Sequence, residues 1–488
     1  MTTAIAEAPA LGGARETQAE RGNRTCDLVA LLPRGESIRN FVFSGMLDTL
    51  AARRRVRVFS VVPNAHFRED LAARYGPVQD LAPPLEPRAV RIVRELLDLA
   101  HGRWLGSEAA RERWRLRDLE AAGGSKWLKR RLKTTACRPF ANRAGLELLS
   151  TIEASLGRRS AAGTDYTRLL GDLRPRLVFN SSHVHGGAAI PAVRAAQRLG
   201  IPTAAFIFSW DNLTSQGRIM PQYDYYLVWN DAIRDQILGM YRRVTPDRVF
   251  VTGTPQFDFH FRPDYWWSRE TFCRAVGADP TRPIVLYCTG MANHMPGEPA
   301  IVERIADILA GLGEFGPPQL LVRVYPKDLT GRFEKMKQRR PDILIPDIPW
   351  EAAWLTPKLE DAYLLTNMLR HAAAGCNVAS TVSLELCMFD KPVINIGYNP
   401  PGRRTDPVDF ARYYRFEHYR PVVESGAVEV AGDEAELRRM LVVALAHPAA
   451  RSRERRLLIS RFFGPSLDGG ASGRVAGALE EIMERHGR

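Results

Sequence analysis

Two series of short apolar strands, each interleaved with helical segments, predict an α/β protein of two Rossmann-like domains facing across a cleft, with a helical insertion in the N-terminal domain. A length of 488 residues agrees, since single hydrophobic cores stop growing well before that size. The strands are near-continuous apolar runs, the mark of parallel sheets covered on both faces. A stretch rich in proline, aromatics and charge separates the two series.

In chain order, residues 1–24 are small, polar and aperiodic and read as a disordered leader. The N-terminal domain is expected over 25–262. It opens with the strand CDLVALLP, the helical SIRNFVFSGMLDTLAA with Ile38, Phe41, Met46, Leu47 and Leu50 on one buried face, and the strand VRVFSVVP. GxGxxG is missing from this opening, so no NAD or FAD is expected, and the cofactor expectation is none. A helical, basic insertion follows at about 88–157. Strands return at RLVFNSS, PTAAFIFSW, DYYLVWN and RVFVTGTP, and 263–282 reads as the linker. The C-terminal domain, 283–462, repeats the pattern with PIVLYCTG, LLVRVYP, DILIP, NVAST (Asn377 to Thr381) and PVINIGY, and a C-terminal helix occupies 463–488.

Composition narrows the function. Six cysteines lie scattered without CxxC spacing, several inside apolar runs, which fits a reducing compartment and the cytoplasm. No run approaches the roughly 18 to 20 apolar residues that span a bilayer. The formal charge of +13 asks for an anionic partner. It is concentrated in KWLKRRLKTTACRPFANR, which holds seven basic residues and no acid. Lys126, Trp127, Lys129, Arg130, Arg131 and Lys133 there form either a surface for an anionic membrane, peripheral on its inner face, or a solvated Arg-rich helix. Nucleic-acid signatures are missing, so no nucleic acid is expected as a partner.

Ligands of open α/β sheets bind beyond the carboxyl ends of the strands, so the strand-end loops carry the candidate chemistry. In the C-terminal half these are Thr289 and Gly290 after PIVLYC, and Arg323, Tyr325 and Lys327 in LLVRVYPKD. Ser380, Thr381 and Ser383 open the helix SLELCMF, with Glu385 in its first turns. Cations and a helix N-terminus suit a diphosphate, and Glu385 suits ribose hydroxyls. Capping alone also explains the hydroxyls. In the N-terminal half, WDNLTSQG offers Asp211 and NSSHVHGG offers His185 as candidate bases for an acceptor hydroxyl. Asp211 suits a turn equally well. No DxD pair or other metal box is present, so no metal is expected and cationic side chains would take the leaving-group charge.

The ordered set TG…HMPGE…LLVRVYPKD…NVASTVSLEL…DKPVINIGY…LDGGASGRV resembles the donor-binding half of GT-B glycosyltransferases, over roughly Pro283 to Val475. It is similar to bacterial surface-polysaccharide glycosyltransferases and CDP-glycerol glycerophosphotransferases, and the UDP-N-acetylglucosamine 2-epimerases share the architecture. Tyr325-Pro326 stands where members of the group carry His-Pro. The resemblance implies a nucleotide-sugar donor as substrate and a glycan or lipid-linked acceptor. It implies sugar transfer to a cell-envelope polysaccharide, with glycerophosphotransfer or 2-epimerisation as alternatives.

Overall fold

The computed structural model describes residues 26–82, 86–120, 124–161, 164–184, 187–313, 317–400, 402 and 408–486. The expected leader lies outside the described residues. Seven strands form the first sheet: β1 (Leu28–Leu32), β2 (Val56–Ser60), β3 (Gln79–Asp80), β4 (Leu177–Asn180), β5 (Thr203–Phe206), β6 (Tyr225–Val228) and β7 (Val249–Val251), in the order β3-β2-β1-β4-β5-β6-β7. All pairs are parallel, and β1 aligns Leu28 with Val56 on one side and with Leu177 on the other. Every residue of β1, β4, β5 and β6 is buried, as their apolar runs require in a sheet covered on both faces. Ile38, Phe41, Met46, Leu47 and Leu50 are buried too.

The second sheet holds β8 (Ile284–Cys288), β9 (Gln319–Arg323), β10 (Ile343–Leu344), β13 (Ala374–Asn377), β14 (Val393–Ile396) and β15 (Glu429–Ala431), in the order β10-β9-β8-β13-β14-β15. A small hairpin of β11 (Trp350–Glu351) and β12 (Thr356–Pro357) stands apart from it. The strand expected at Asn377 to Thr381 lies earlier in the chain, over AGCN. Its small residues hid it, and they serve packing: a Cβ on Gly375 would sit 2.2 Å from Leu386 Cδ1. Beyond Asn377 the chain turns, because the Asn377 carboxamide oxygen accepts the Ser380 N–H at 3.1 Å and Ala379 takes φ +39°.

Both sheets reverse direction of growth beside their first strand, between β1 and β4 and between β8 and β13. These are the topological switch points where α/β sheets take ligands. The insertion fills the crossover from β3 to β4 with helices Arg88–Leu105, Glu108–Glu120, Gly124–Ala136 and Arg143–Ser160 around a small core that includes Leu97, Cys137 and Leu146. The stretch 263–282 contains the helix Arg269–Val276, capped by the Ser268 hydroxyl. The last helix, Ala471–Arg485, returns to the first sheet's side. There Arg53 pairs with Glu480 at 3.1 Å and Tyr225 meets His486 at 2.9 Å. Asp258 starts that helix, accepting the backbone N–H groups of Ala471 (3.0 Å) and Ser472 (2.7 Å). No described helix is long and apolar enough to cross a membrane.

Candidate functional site

The loops after β1, β8, β9 and β13 meet around a cavity of about 260 Å³ between the domains. Its walls include Arg34, Arg39 and Glu36 from the N-terminal side, and Thr289, Arg323, Tyr325, Ser380, Thr381 and Glu385 from the C-terminal side. The two switch points therefore open into one space.

Arg323 ends β9 and is 7% exposed. Its Nη2 donates to both oxygens of Asp361, at 2.7 and 3.0 Å, and Trp350 Nε1 donates to the same carboxylate at 2.7 Å. The guanidinium is thereby aimed, yet its buried Nη1 has no hydrogen-bond partner. Such orphans are rare in folded proteins, and an anion's oxygen would satisfy this one.

Lys327 does not lie free on the C-terminal wall. Its ammonium crosses the cleft to Glu36, which also binds Arg34 Nη2 at 2.7 Å. Burial opposes the charge of Glu36, but Arg34 and Lys327 together bring its carboxyl down to about 2. Lys327 is itself lowered: burial, with Arg34 and Arg39 close by, outweighs the pull of Glu36. The Lys327 ammonium is thus held by Glu36 but crowded by two guanidiniums. The close Lys327–Glu36 contact and the lowered Glu36 carboxyl make an ionised bridge. The approach behind it is close. A Cβ on Gly35 would fall 2.6 Å from Leu355 O and Thr356 Cα, so only glycine lets the β1 loop touch the hairpin backbone.

The remaining C-terminal candidates divide. Thr289 accepts the Tyr325 N–H at 2.8 Å and ties the β8 and β9 loops together. The Gly290 N–H is not open to a ligand, since it donates to the Glu298 carboxylate at 3.0 and 2.9 Å. Burial pushes Glu298 up to about 7, against the Gly290 N–H and the Arg332 guanidinium. Ser380 and Thr381 line the cavity, where Thr381 Oγ1 accepts Trp210 Nε1 at 3.0 Å across the domains. Glu385 also lines it, one oxygen 3.4 Å from His260 Nε2.

Ser383 departs from expectation. It is fully buried behind the wall, with Asn377, Asn395 and Tyr419 all within 3.1 Å of its hydroxyl. The helix Val382–Met388 turns that position inward. Ser383→Ala is therefore expected to cost about 1–3 kcal/mol of stability with ligand affinity unchanged, read by urea unfolding and calorimetry.

On the N-terminal side Asp211 opens the short turn Asn212–Ser215, where Ser215 Oγ donates to its Oδ2 at 2.8 Å. It is half-buried and near His418, whose proton affinity burial lowers against the pull of the Asp211 and Glu417 carboxylates. His418 Nδ1 meets Thr214 Oγ1 at 3.1 Å, so the WDNLT segment links the domains at both Trp210 and Thr214. His185 lies outside the described residues.

In the basic segment, helix Gly124–Ala136 exposes Trp127 with Arg131 stacked on its ring at 4.8 Å. Lys129 is exposed, Lys133 pairs with Glu95 at 2.6 Å and Arg130 pairs with Asp118. The Lys126 side chain is outside the described residues.

Sequence reading missed Arg34, Glu36, Arg39 and Asp361. The first three stand in the loop and first turn after β1, a strand-end position like those it did examine. Asp361, in a helix, carried no local signal. Among the described residues no three His, Cys, Asp or Glu gather as a metal-ligand set.

No family model and no curated protein matches this sequence. Solved structures match its fold. A UDP-N-acetylglucosamine 2-epimerase superposes with TM-score 0.51 at 14% identity, over 96% of this chain and 97% of that one. The enzyme of that name from Methanocaldococcus jannaschii gives 0.50 at 12%, over 93% and 99%. The one from Neisseria meningitidis, bound to UDP-GlcNAc, gives 0.50 at 11%, over 93% and 99%. The chain has the two-Rossmann, GT-B-like fold of these structures along nearly its whole length.

Proposed function

We propose that the cleft binds a nucleotide-activated sugar and transfers the sugar to a glycan or lipid-linked acceptor. The observation that carries the reading is Arg323, a buried guanidinium that lines the cavity at the switch point, is fixed by Asp361, and keeps a second nitrogen without a partner. A diphosphate oxygen fits that nitrogen, and Ser380 and Thr381 add hydroxyls beside it. Charge building on the departing diphosphate would be met by Arg323 from one wall and Arg34 and Arg39 from the other. Asp211 and His185 are the bases proposed for the acceptor hydroxyl, with Glu385 directed to the ribose. At about 260 Å³ the cavity is smaller than the roughly 300–1,000 Å³ of ordinary ligand sites, so the donor enters as the domains part.

The whole-length fold match supports a second reading, 2-epimerisation of the bound sugar. Chemistry separates the two. Inverting C2 breaks its C–H bond and admits solvent hydrogen there, whereas transfer breaks the anomeric bond and frees the nucleotide. UDP-, GDP-, CMP- and CDP-linked sugars are incubated in D2O with acceptor-containing membranes and excess EDTA. Transfer predicts nucleotide release, undiminished by EDTA, with no deuterium at C2. Deuterium at C2 without nucleotide release would replace transfer by epimerisation. Activity lost in EDTA and restored by magnesium would overturn the all-cation account.

A further inference from the structure

The helical insertion holds a feature the cleft does not use. Helices Arg88–Leu105, Glu108–Glu120 and Gly124–Ala136 enclose a groove of about 660 Å³. Its apolar surface comes from Leu99, Trp114 and Leu119, and of its four lining arginines three are paired, Arg111 with Glu108, Arg115 with Glu112 and Arg130 with Asp118. One of the four, Arg103, is exposed and has no carboxylate partner among the described residues. Arg130 contributes from the third helix.

At about 3.6 residues per turn, Trp127 and Arg131 follow Arg130 and Thr134 around that helix, and Leu128 and Leu132 come next. Trp127, Leu128 and Leu132 are 45%, 55% and 63% exposed. A groove with a cationic rim thus runs onto an apolar, cation-flanked helix face. Water is a poor solvent for such a face, and Arg103, Lys129 and Arg131, which have no carboxylate partner among the described residues, select an anionic cover.

We infer that this insertion docks on an anionic lipid bilayer, with Trp127, Leu128 and Leu132 in the headgroup boundary and the groove holding one acidic lipid by its phosphate. The insertion is tied to the domain interface. Ser107 Oγ donates to Thr214 O at 2.7 Å, the Glu108 N–H reaches Glu417 at 2.6 Å and Glu112 pairs with Arg412 at 3.0 Å. Docking would therefore hold the mouth of the cleft near the membrane surface. The inference stands apart from the nucleotide-sugar reading, because lipid binding needs no donor.

The test is sedimentation of the full chain with phosphatidylcholine vesicles and with vesicles containing phosphatidylglycerol. Binding is expected only to the second, weakening as salt rises and the Debye length shrinks. Arg131→Glu combined with Arg103→Glu should lower it by about two orders of magnitude or more, and Trp127→Ala with Leu132→Ser roughly tenfold. Circular dichroism of each variant should match the parent. Equal recovery on both vesicles, or wild-type binding by the apolar variant, overturns the inference. So does complete displacement by inorganic phosphate, which would make the groove a site for a soluble anion.

Discussion

Arg323→Ala should be the most damaging single change near the cleft, in two separable ways. It strips the buried Asp361 carboxylate of its guanidinium and leaves Trp350 Nε1 as its side-chain donor among the described residues. Breaking a buried pair from one side costs about 3–5 kcal/mol, because the other charge stays in the interior. It also removes the unpartnered nitrogen offered to the diphosphate, and losing a buried charged contact to a ligand costs about 2–5 kcal/mol of binding. The double variant Arg323→Met with Asp361→Asn separates the two effects. Neutralising both partners at similar volume is often nearly neutral for folding. Urea unfolding should show most of the stability restored, while calorimetry shows donor affinity still low. Recovered affinity in the double variant would mean that the guanidinium serves only the fold.

The second large effect is expected at Glu36. Its carboxyl is lowered from the ordinary 4.5 to about 2, so the unfolded chain binds the proton more readily than the folded one. The stability it contributes is therefore fully present above about pH 4.5 and is lost as pH falls toward about 2. A shift of that size corresponds to about 3 kcal/mol. Glu36→Gln should cost about that much at pH 7, and the gap between the two proteins should close at the acid end. Unfolding in urea at several pH values measures it. Parallel curves that never converge would assign the bridge no role in stability. The change should also loosen the closed cleft, since Lys327 would lose its partner across it.

The fold was legible because parallel strands buried on both faces write themselves as apolar runs. β1, β4, β6 and β8 were all visible in that way. β13 was not, because Ala374, Gly375 and Cys376 carry little apolar bulk, and Gly375 packs too closely against Leu386 for a side chain. At the site, strand-end position drew attention to Thr289, Arg323, Ser380 and Thr381, which all line one cavity. Position alone could not say which way a side chain turns. Ser383 and Ser380 look alike in sequence, yet one faces the core and the other the cleft. Nor could it reveal partners distant in the chain. Asp361 is 38 residues from Arg323, and Glu36 meets Lys327 only once two domains have formed.

The placement of the helix Ala471–Arg485 has a consequence for biosynthesis. The N-terminal sheet is translated first, but the helix that covers Met46–Ala51 emerges last among the described elements, and the Arg53–Glu480 contact spans 427 residues. Val475, Leu479, Ile482 and Met483 are all buried in that position, so until they arrive the first domain presents an open apolar seam. The second sheet is built from one uninterrupted stretch and has no such wait. During synthesis the half made first is therefore the half finished last. A ribosome stalled before residue 470 would hold a nascent chain that needs chaperone cover on its N-terminal domain.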